Sequence, residues 1–199
     1  MDKRRSFFDS SASSWDQLLE QTLSSEKLGE LVTQFRIGEG DDILDVGTGT
    51  GVLLPLLGKA TGPRGTLVAI DFSLPMLLAA TRHDFEMRPA FFNAGVAAIP
   101  FRHGSLDKVT CFSAFPHFPD KKGALAEIVR VLKKGGALFI AHLHSAEEIA
   151  RLHHEVGGSV HHDRLPDPEA LFGPMAGAGL GCVEITNEPG RFLAQGRKD

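Results

Sequence analysis

The chain has 199 residues, 42% of them hydrophobic, and its 21 Lys+Arg against 25 Asp+Glu give a formal charge of -4. That is enough apolar material for one buried core and too much for a disordered tail, so a single domain is expected, with residues 1–36 as a helical lid and 37–199 as the body. The acidic balance argues against a protein that grips nucleic-acid phosphates, and no run of 18 apolar residues offers a membrane span.

No long apolar stretch follows Lys3-Arg4-Arg5, so no signal peptide is expected. Together with Arg197-Lys198 this basic run reads as a solvated tail. Ser14 and Gln17 are spaced as a capping box. Leu18, Leu19, Leu23, Leu28, Leu31, Val32 and Phe35 then recur at helical spacing, predicting one or two helices between Ser14 and Phe35. From Asp42 short apolar runs alternate with helix-like stretches. Ile43–Val46 reads as a strand running into a glycine loop, Val52–Ala60 as a helix and Thr66–Ile70 as the next strand. Ser73 caps a helix that runs to Ala80, with Pro75 in its first turn. Pro89–Phe92 and Leu106–Phe112 are strands, and a helix from about Asp120 to Leu132 is stopped by Gly135-Gly136. Ala137–His142 is the fifth strand, Ser145 and Glu148 open another helix with a second capping box, and Cys182–Thr186 and Arg191–Ala194 bring the strands to seven.

Strands alternating with helices predict parallel pairing through right-handed crossovers. The expected fold is therefore α/β: a doubly wound, Rossmann-like seven-stranded sheet with helices on both faces and a short N-terminal helical lid. Ligands of such sheets bind beyond the carboxyl ends of the strands, where strand order reverses.

The stretch Asp45-Val46-Gly47-Thr48-Gly49-Thr50-Gly51 lies at such an end. Alternate glycines let the backbone turn sharply and approach a ligand closely. The second strand ends at Asp71, whose carboxylate can accept from both ribose hydroxyls of an adenosine. A dinucleotide fingerprint would place its third glycine where Val52 stands, and no Lys-Ser/Thr follows the loop to make a phosphate-binding P-loop. A phosphate-free cofactor with a cationic sulfonium suits the acidic strand end better.

The motif Ile43–Gly51 resembles the first motif of class I S-adenosylmethionine-dependent methyltransferases, and Val68–Leu77 is similar to the second. Asn93–Phe101 resembles the third, with Asn93 where that family usually has Asp; its carbonyl oxygen can still accept from an adenine amino group. Phe112–Asp120 and Leu132–Leu138 look like the loop after strand four and the turn into strand five. Phe7-Phe8-Asp9 and Trp15-Asp16 echo the N-terminal signature of the ubiquinone/menaquinone-biosynthesis subgroup, and Phe192-Leu193-Ala194 looks like the family's last strand. The resemblance implies S-adenosyl-L-methionine as cofactor, held by Asp45, Gly47, Thr48, Gly49, Gly51, Asp71, Phe72, Met76, Asn93, Ala94, Phe112 and Ser113. It implies a small-molecule acceptor, with aromatic or apolar character as an option; the cysteine usage and the lack of a signal peptide and membrane span make a cytoplasmic setting the default, the acidic charge argues against nucleic acid, and a homodimer is an open option. The N-terminal Phe7, Phe8 and Trp15 either close over the cofactor or pack on the sheet.

His117, in the loop after strand four, is a candidate to orient or deprotonate an acceptor, or else gives that loop its shape. His142 and His144 share one side of an extended segment and are further catalytic candidates within a crowd that includes His153, His154, His161 and His162, followed by Asp163. A metal or acidic-substrate site is one reading of that crowd and pocket lining another; without a recognisable ligand spacing no metal residue is assigned. Cys111 and Cys182 lie in apolar runs, which suggests core positions and a reducing compartment. Two alternatives to a small-molecule enzyme of this kind are a cofactor-binding partner subunit without turnover and a nicotinamide oxidoreductase. A third is an RNA methyltransferase, which the acidic charge disfavours.

Overall fold

A computed structural model describes residues 3–15, 17 and 24–199. Alternation along the strands sorts the core into two layers. In the first strand, β1 (Asp42–Val46), Leu44 and Val46 belong to one apolar cluster and Ile43 to the other. In β5 (Leu132–His142), Leu138 and Ile140 face the first cluster while Ala137, Phe139 and Ala141 face the second. Side chains of consecutive strand residues point to opposite faces, so near-continuous apolar strands require cover on both sides.

The second layer is covered by α2 (Ser25–Gln34), which buries Leu28, Leu31 and Val32 with Phe35 at its C-cap, and by α3 (Leu54–Thr61), which buries Leu54 and Leu57. Ser24 caps α2 by accepting from the Lys27 amide. The other predicted stripe residues Leu18, Leu19 and Leu23 lie outside the described residues, as does Asp16. The first layer is covered chiefly by α5 (Lys121–Val131) and α7 (Pro168–Gly177), with Leu125, Ile128, Leu171 and Met175 buried.

The sheet runs β3-β2-β1-β4-β5-β7-β6, with β2 (Thr66–Asp71), β3 (Ala90–Asn93), β4 (Leu106–Phe112), β6 (Leu180–Glu188) and β7 (Arg191–Lys198). Strands β1 to β5 pair in parallel, whereas β7 is antiparallel to both β5 and β6. The sheet is therefore mixed rather than wholly parallel. The reason is local: β6 and β7 are joined by the tight turn at Pro189-Gly190, with Gly190 at φ +78°, and a tight turn can only reverse the chain. The order reverses between β1 and β4, which opens the crevice at their carboxyl ends.

Four other sequence expectations need correction. Helix α5 ends at Val131, ahead of Gly135-Gly136, because Leu132 already takes extended angles and starts β5; the glycines lie within the strand, Gly135 at φ +76° beside a register shift against β4. Cys182 is exposed, not core: it sits at φ +48° where the register of β6 on β7 slips, while Cys111 is buried as expected. The basic run Lys3-Arg4-Arg5 is no tail but the start of helix α1 (Lys3–Ser11), and α7 is a helix where the sequence signals none. Helices α4 (Leu74–Ala80) and α6 (Ala146–Val156) have the predicted caps, Ser73 on the Met76 amide and the reciprocal Ser145/Glu148 box.

The glycine loop owes part of its composition to packing. A Cβ on Gly51, at φ +83°, would lie 2.8 Å from the Ala80 Cβ and 3.1 Å from its Cα. Gly51→Ala should therefore destabilise the chain by about 2–4 kcal/mol, backbone strain and overpacking combined. Gly29→Ala, mid-helix with nothing within 4 Å, should be neutral or gain up to about 1 kcal/mol. Urea midpoints measure both, and equal effects would refute the packing explanation.

Candidate active site

The loop after β1 is pinned to β2. The amides of Gly47 and Thr48 both donate to the Ile70 carbonyl, at 2.9 and 3.1 Å, and the Gly51 amide donates to the Thr48 carbonyl at 2.9 Å. Asp71 completes the arrangement from the end of β2: its Oδ2 accepts from the Gly49 amide at 2.9 Å and its Oδ1 from the Ser73 amide at 2.8 Å. Burial pushes the Asp71 carboxyl up to about 6, against the pull of those two amides, and the charges of Asp45 and Asp9 add to the rise. Gly49 differs from its neighbours. At φ +55°, a Cβ on it would meet nothing within 4 Å, because this residue faces the cleft.

Ten of the residues expected at a cofactor site, or as catalytic candidates, line this one cleft. Gly47, Thr48 and Gly49 form the floor; Asp71, Phe72 and Met76 the β2 side; Ala94 the β3 side; and Phe112, Ser113 and His117 the β4 side. Ser113 takes φ +54°, a conformation that a non-glycine residue adopts at some expense and that recurs at functional sites. The Thr50 hydroxyl is buried in the floor and finds no hydrogen-bond partner among the described residues, whereas the buried Thr48 hydroxyl lies against the Asp45 carboxyl and draws it down.

Five expected residues do not line the cleft. Asp45 is buried beneath the loop, where it accepts from the Thr110 hydroxyl at 2.7 Å; burial raises its carboxyl despite that bond. Gly51 packs on Ala80. Asn93 donates its side-chain amide to the Asp71 carbonyl at 2.8 Å and is exposed. His142 is buried, with an Nε2 that has no partner among the described residues, and burial holds it well below the usual imidazole range. His144 is half-buried and lowered by the same cause.

Sequence reasoning misses how α1 participates. Phe8, the one buried residue of α1, packs edge-on against Phe72, Trp15 and His117 with ring centroids 5.7, 5.5 and 5.0 Å apart, and Phe8 and Trp15 both line the cleft. The aromatic side chains of this segment thus pack on the loops after β2 and β4 at the rim of the cleft. Arg5 donates to the Phe72 carbonyl, the Ser73 hydroxyl to Asp9 at 2.6 Å, and Arg4 to Asp163. Asp163 is buried between His117 and Arg4, whereas the sequence shows it only as the end of a histidine-rich run. Nothing in local spacing points to a pair 46 residues apart.

Comparisons with known proteins point to one family. A family model described as a methyltransferase domain matches residues 44–140. The chain is 41% identical over 102 residues to a demethylmenaquinone methyltransferase of Thermus thermophilus, covering 49% of this chain and 45% of that one. It is 32% identical over 142 residues to a ubiquinone/menaquinone biosynthesis C-methyltransferase of Hahella chejuensis, covering 67% and 56%. The chain thus spans about half the length of the curated relatives it matches. The fold is shared with a solved chain from the complex between the Haloferax volcanii Trm112 methyltransferase activator and a methyltransferase, with a TM-score of 0.80 at 22% identity over 96% of each chain.

The Asp71 carboxyl has a sign that can be tested. Its folded pKa lies above the unfolded value, so the native state holds the extra proton and this contribution to stability is lost as pH rises through about 6. Between pH 4 and 7 the wild type should lose about 2–3 kcal/mol relative to Asp71→Asn, read from urea unfolding at each pH. A gap between the two proteins that does not move with pH would contradict the assignment.

Proposed function

Because the chain belongs to the class I S-adenosylmethionine-dependent methyltransferases, near the ubiquinone/menaquinone type, we propose that it transfers a methyl group from S-adenosylmethionine to a small aromatic or apolar acceptor. The observation that carries the reading is the convergence of the open Gly49 backbone and the Asp71 carboxylate on one aromatic-lipped cleft.

These residues fit the cofactor. When bound, it supplies an electrophilic methyl on a positively charged sulfur. The open space at Gly49 is a cradle that any Cβ would enter. Asp71 offers a carboxylate at the cleft wall for sugar hydroxyls. Phe72, Met76, Ala94 and Val96 give an apolar slot for a flat base. Phe8 and Trp15 exclude water from above, as in-line displacement at a methyl carbon requires.

The acceptor class follows from the lip, where Phe8, Trp15 and Phe118 face the cleft. The names of the curated relatives, which act on demethylmenaquinone or in ubiquinone/menaquinone biosynthesis, support the same class. A formal charge of -4 supports a partner list without nucleic acid, and the free thiols of Cys111 and Cys182 support a cytoplasmic setting.

Calorimetry with S-adenosylhomocysteine tests the cofactor reading. Binding that uses ionised Asp71 should tighten roughly tenfold from pH 5 to pH 7 and level off above, since the carboxyl titrates near 6. Gly49→Val, which puts a side chain into the cradle, should abolish measurable binding. Tight binding by that variant would refute the site. Radiolabel transfer from S-adenosylmethionine to a panel of aromatic hydroxy compounds tests turnover.

A further inference from the structure

Three segments far apart in sequence meet on one carboxylate. Asp163, in the loop between α6 and α7, has a side chain only 2% exposed. Its Oδ2 lies 2.9 Å from the Nδ1 of His117, and the Arg4 guanidinium grips it from α1 through Nε, at 3.1 and 3.2 Å to the two oxygens, and through a terminal nitrogen. Burial alone would raise the Asp163 carboxyl. The hydrogen bonds of His117 and Arg4, with the Arg4 cation beside them, outweigh it and hold the group well below the usual carboxylate range. With a guanidinium bonded to both of its oxygens Asp163 is held as an anion, and an anionic carboxylate can only accept hydrogen bonds. The hydrogen between them must sit on the Nδ1 of His117, which leaves the lone pair of a neutral ring on Nε2. His117 also lines the cofactor cleft, with Phe8 of α1 packed edge-on against its ring.

On the premise of the methyltransferase reading above, we propose that His117 is the general base that removes the proton of an aromatic hydroxyl on the acceptor, and that Asp163 is its positioning residue, completed when Arg4 docks α1. The O–H bond of the acceptor breaks, its proton goes to Nε2, and the electron pair stays on the acceptor as the nucleophile. The resulting imidazolium is paired with Asp163. An aromatic hydroxyl fits this base because its ordinary pKa, near 10, lies within reach of an imidazole, whereas an aliphatic alcohol is several units weaker. An aliphatic amine would compete for the same proton and enter already charged. The aromatic lip of the cleft supplies the matching surface for the ring. Because Arg4 and Phe8 belong to the same helix, the contact that shields the cleft also fixes the carboxylate behind the base. The base is complete only in the closed site.

The test uses the full chain labelled with 15N at histidine, and 1,4-naphthalenediol kept reduced as the probe acceptor. Long-range 1H–15N spectra, with His117 assigned by comparison with His117→Gln, should show the proton on Nδ1 in the wild type. Asp163→Asn should lose that tautomer and lower kcat for methylation of the probe by about 100-fold or more. Its affinity for S-adenosylhomocysteine should stay within about threefold, because Asp163 does not line the cofactor cleft. Arg4→Gln, which leaves the His117–Asp163 bond in place, should keep the tautomer and lower kcat by about tenfold. A wild-type proton on Nε2 would overturn the proposal. So would wild-type kcat in both variants, or an effect of Asp163→Asn confined to KM. A wild type that binds S-adenosylhomocysteine yet never methylates the probe would overturn the aromatic-hydroxyl assignment. A wild type that does not bind S-adenosylhomocysteine would instead sink the underlying cofactor reading.

Discussion

The Asp71 carboxylate joins two loops that the sheet alone would only set side by side. Parallel pairing of β1 and β2 brings their carboxyl ends level, and the Ile70 carbonyl holds the Gly47 and Thr48 amides, but neither fixes Gly49 or the turn after Asp71. The two oxygens of Asp71 do so, one holding the Gly49 amide and the other the Ser73 amide. One bond shapes the floor of the cleft; the other starts α4, whose Met76 lines the β2 wall. Burial makes this an expensive place for a charge, and the raised carboxyl records that. The same burial makes any hydrogen bond from a ligand to that carboxylate stronger than it would be in water.

Helix α1 depends on the site as much as the site depends on it. Nine residues are too few for a helix to persist alone in water, and of these only Phe8 is buried. Docking therefore rests on directional contacts more than on apolar area. Arg5 and Asp9 reach the turn after β2, and Arg4 reaches the loop that holds Asp163. Those anchors stand on the two flanks of the crevice, so α1 bridges it. An element held in this way, by few apolar contacts and several polar anchors, is drawn from the low-stability end of a structure.

Much of this is legible in the sequence, and the exceptions share a cause. Short runs rich in apolar and β-branched residues give away β1, β2 and β4, and Ser73, Ser145 and Glu148 mark helix starts, because those signals are local. The glycine loop and Asp71 are legible because the chemistry needs them at strand ends. What escapes is non-local or masked. Arg4 meets a partner 159 residues away, so a basic run at the chain start looks like a tail. Helix α7 carries Gly173 and Pro174 in its interior, residues that argue against a helix when packing is invisible. Cys182 sits in an apolar run, but a register slip turns it outward, and no periodicity reports a bulge. Gly47 and Gly51 read as sites of ligand approach, whereas a Cβ at either would strike Ala114 or Ala80.

The histidine crowd shows how burial, not residue type, divides labour. His142 is held neutral by burial, and the neighbouring imidazoles His117, His153 and His144 push the same way. His153 is lowered chiefly by burial as well, and its Nδ1 lies 2.7 Å from the Asp163 carbonyl, a group that can only accept. Two rings of the group are thus uncharged fixtures. The charge bonded to His117 is Asp163, and Arg4 neutralises it. Asp45 beneath the floor and Asp71 in the β2 wall have no such cation among their described bonding partners; Thr110, Thr48, Gly49 and Ser73 give only neutral donors. The two sides of the cleft therefore differ, with carboxyls held by neutral donors on one and a carboxylate paired with Arg4 behind His117 on the other. On the proposed reading a cationic sulfur and an acceptor that loses a proton call for that difference, and a single uniformly acidic pocket would serve the first and hinder the second.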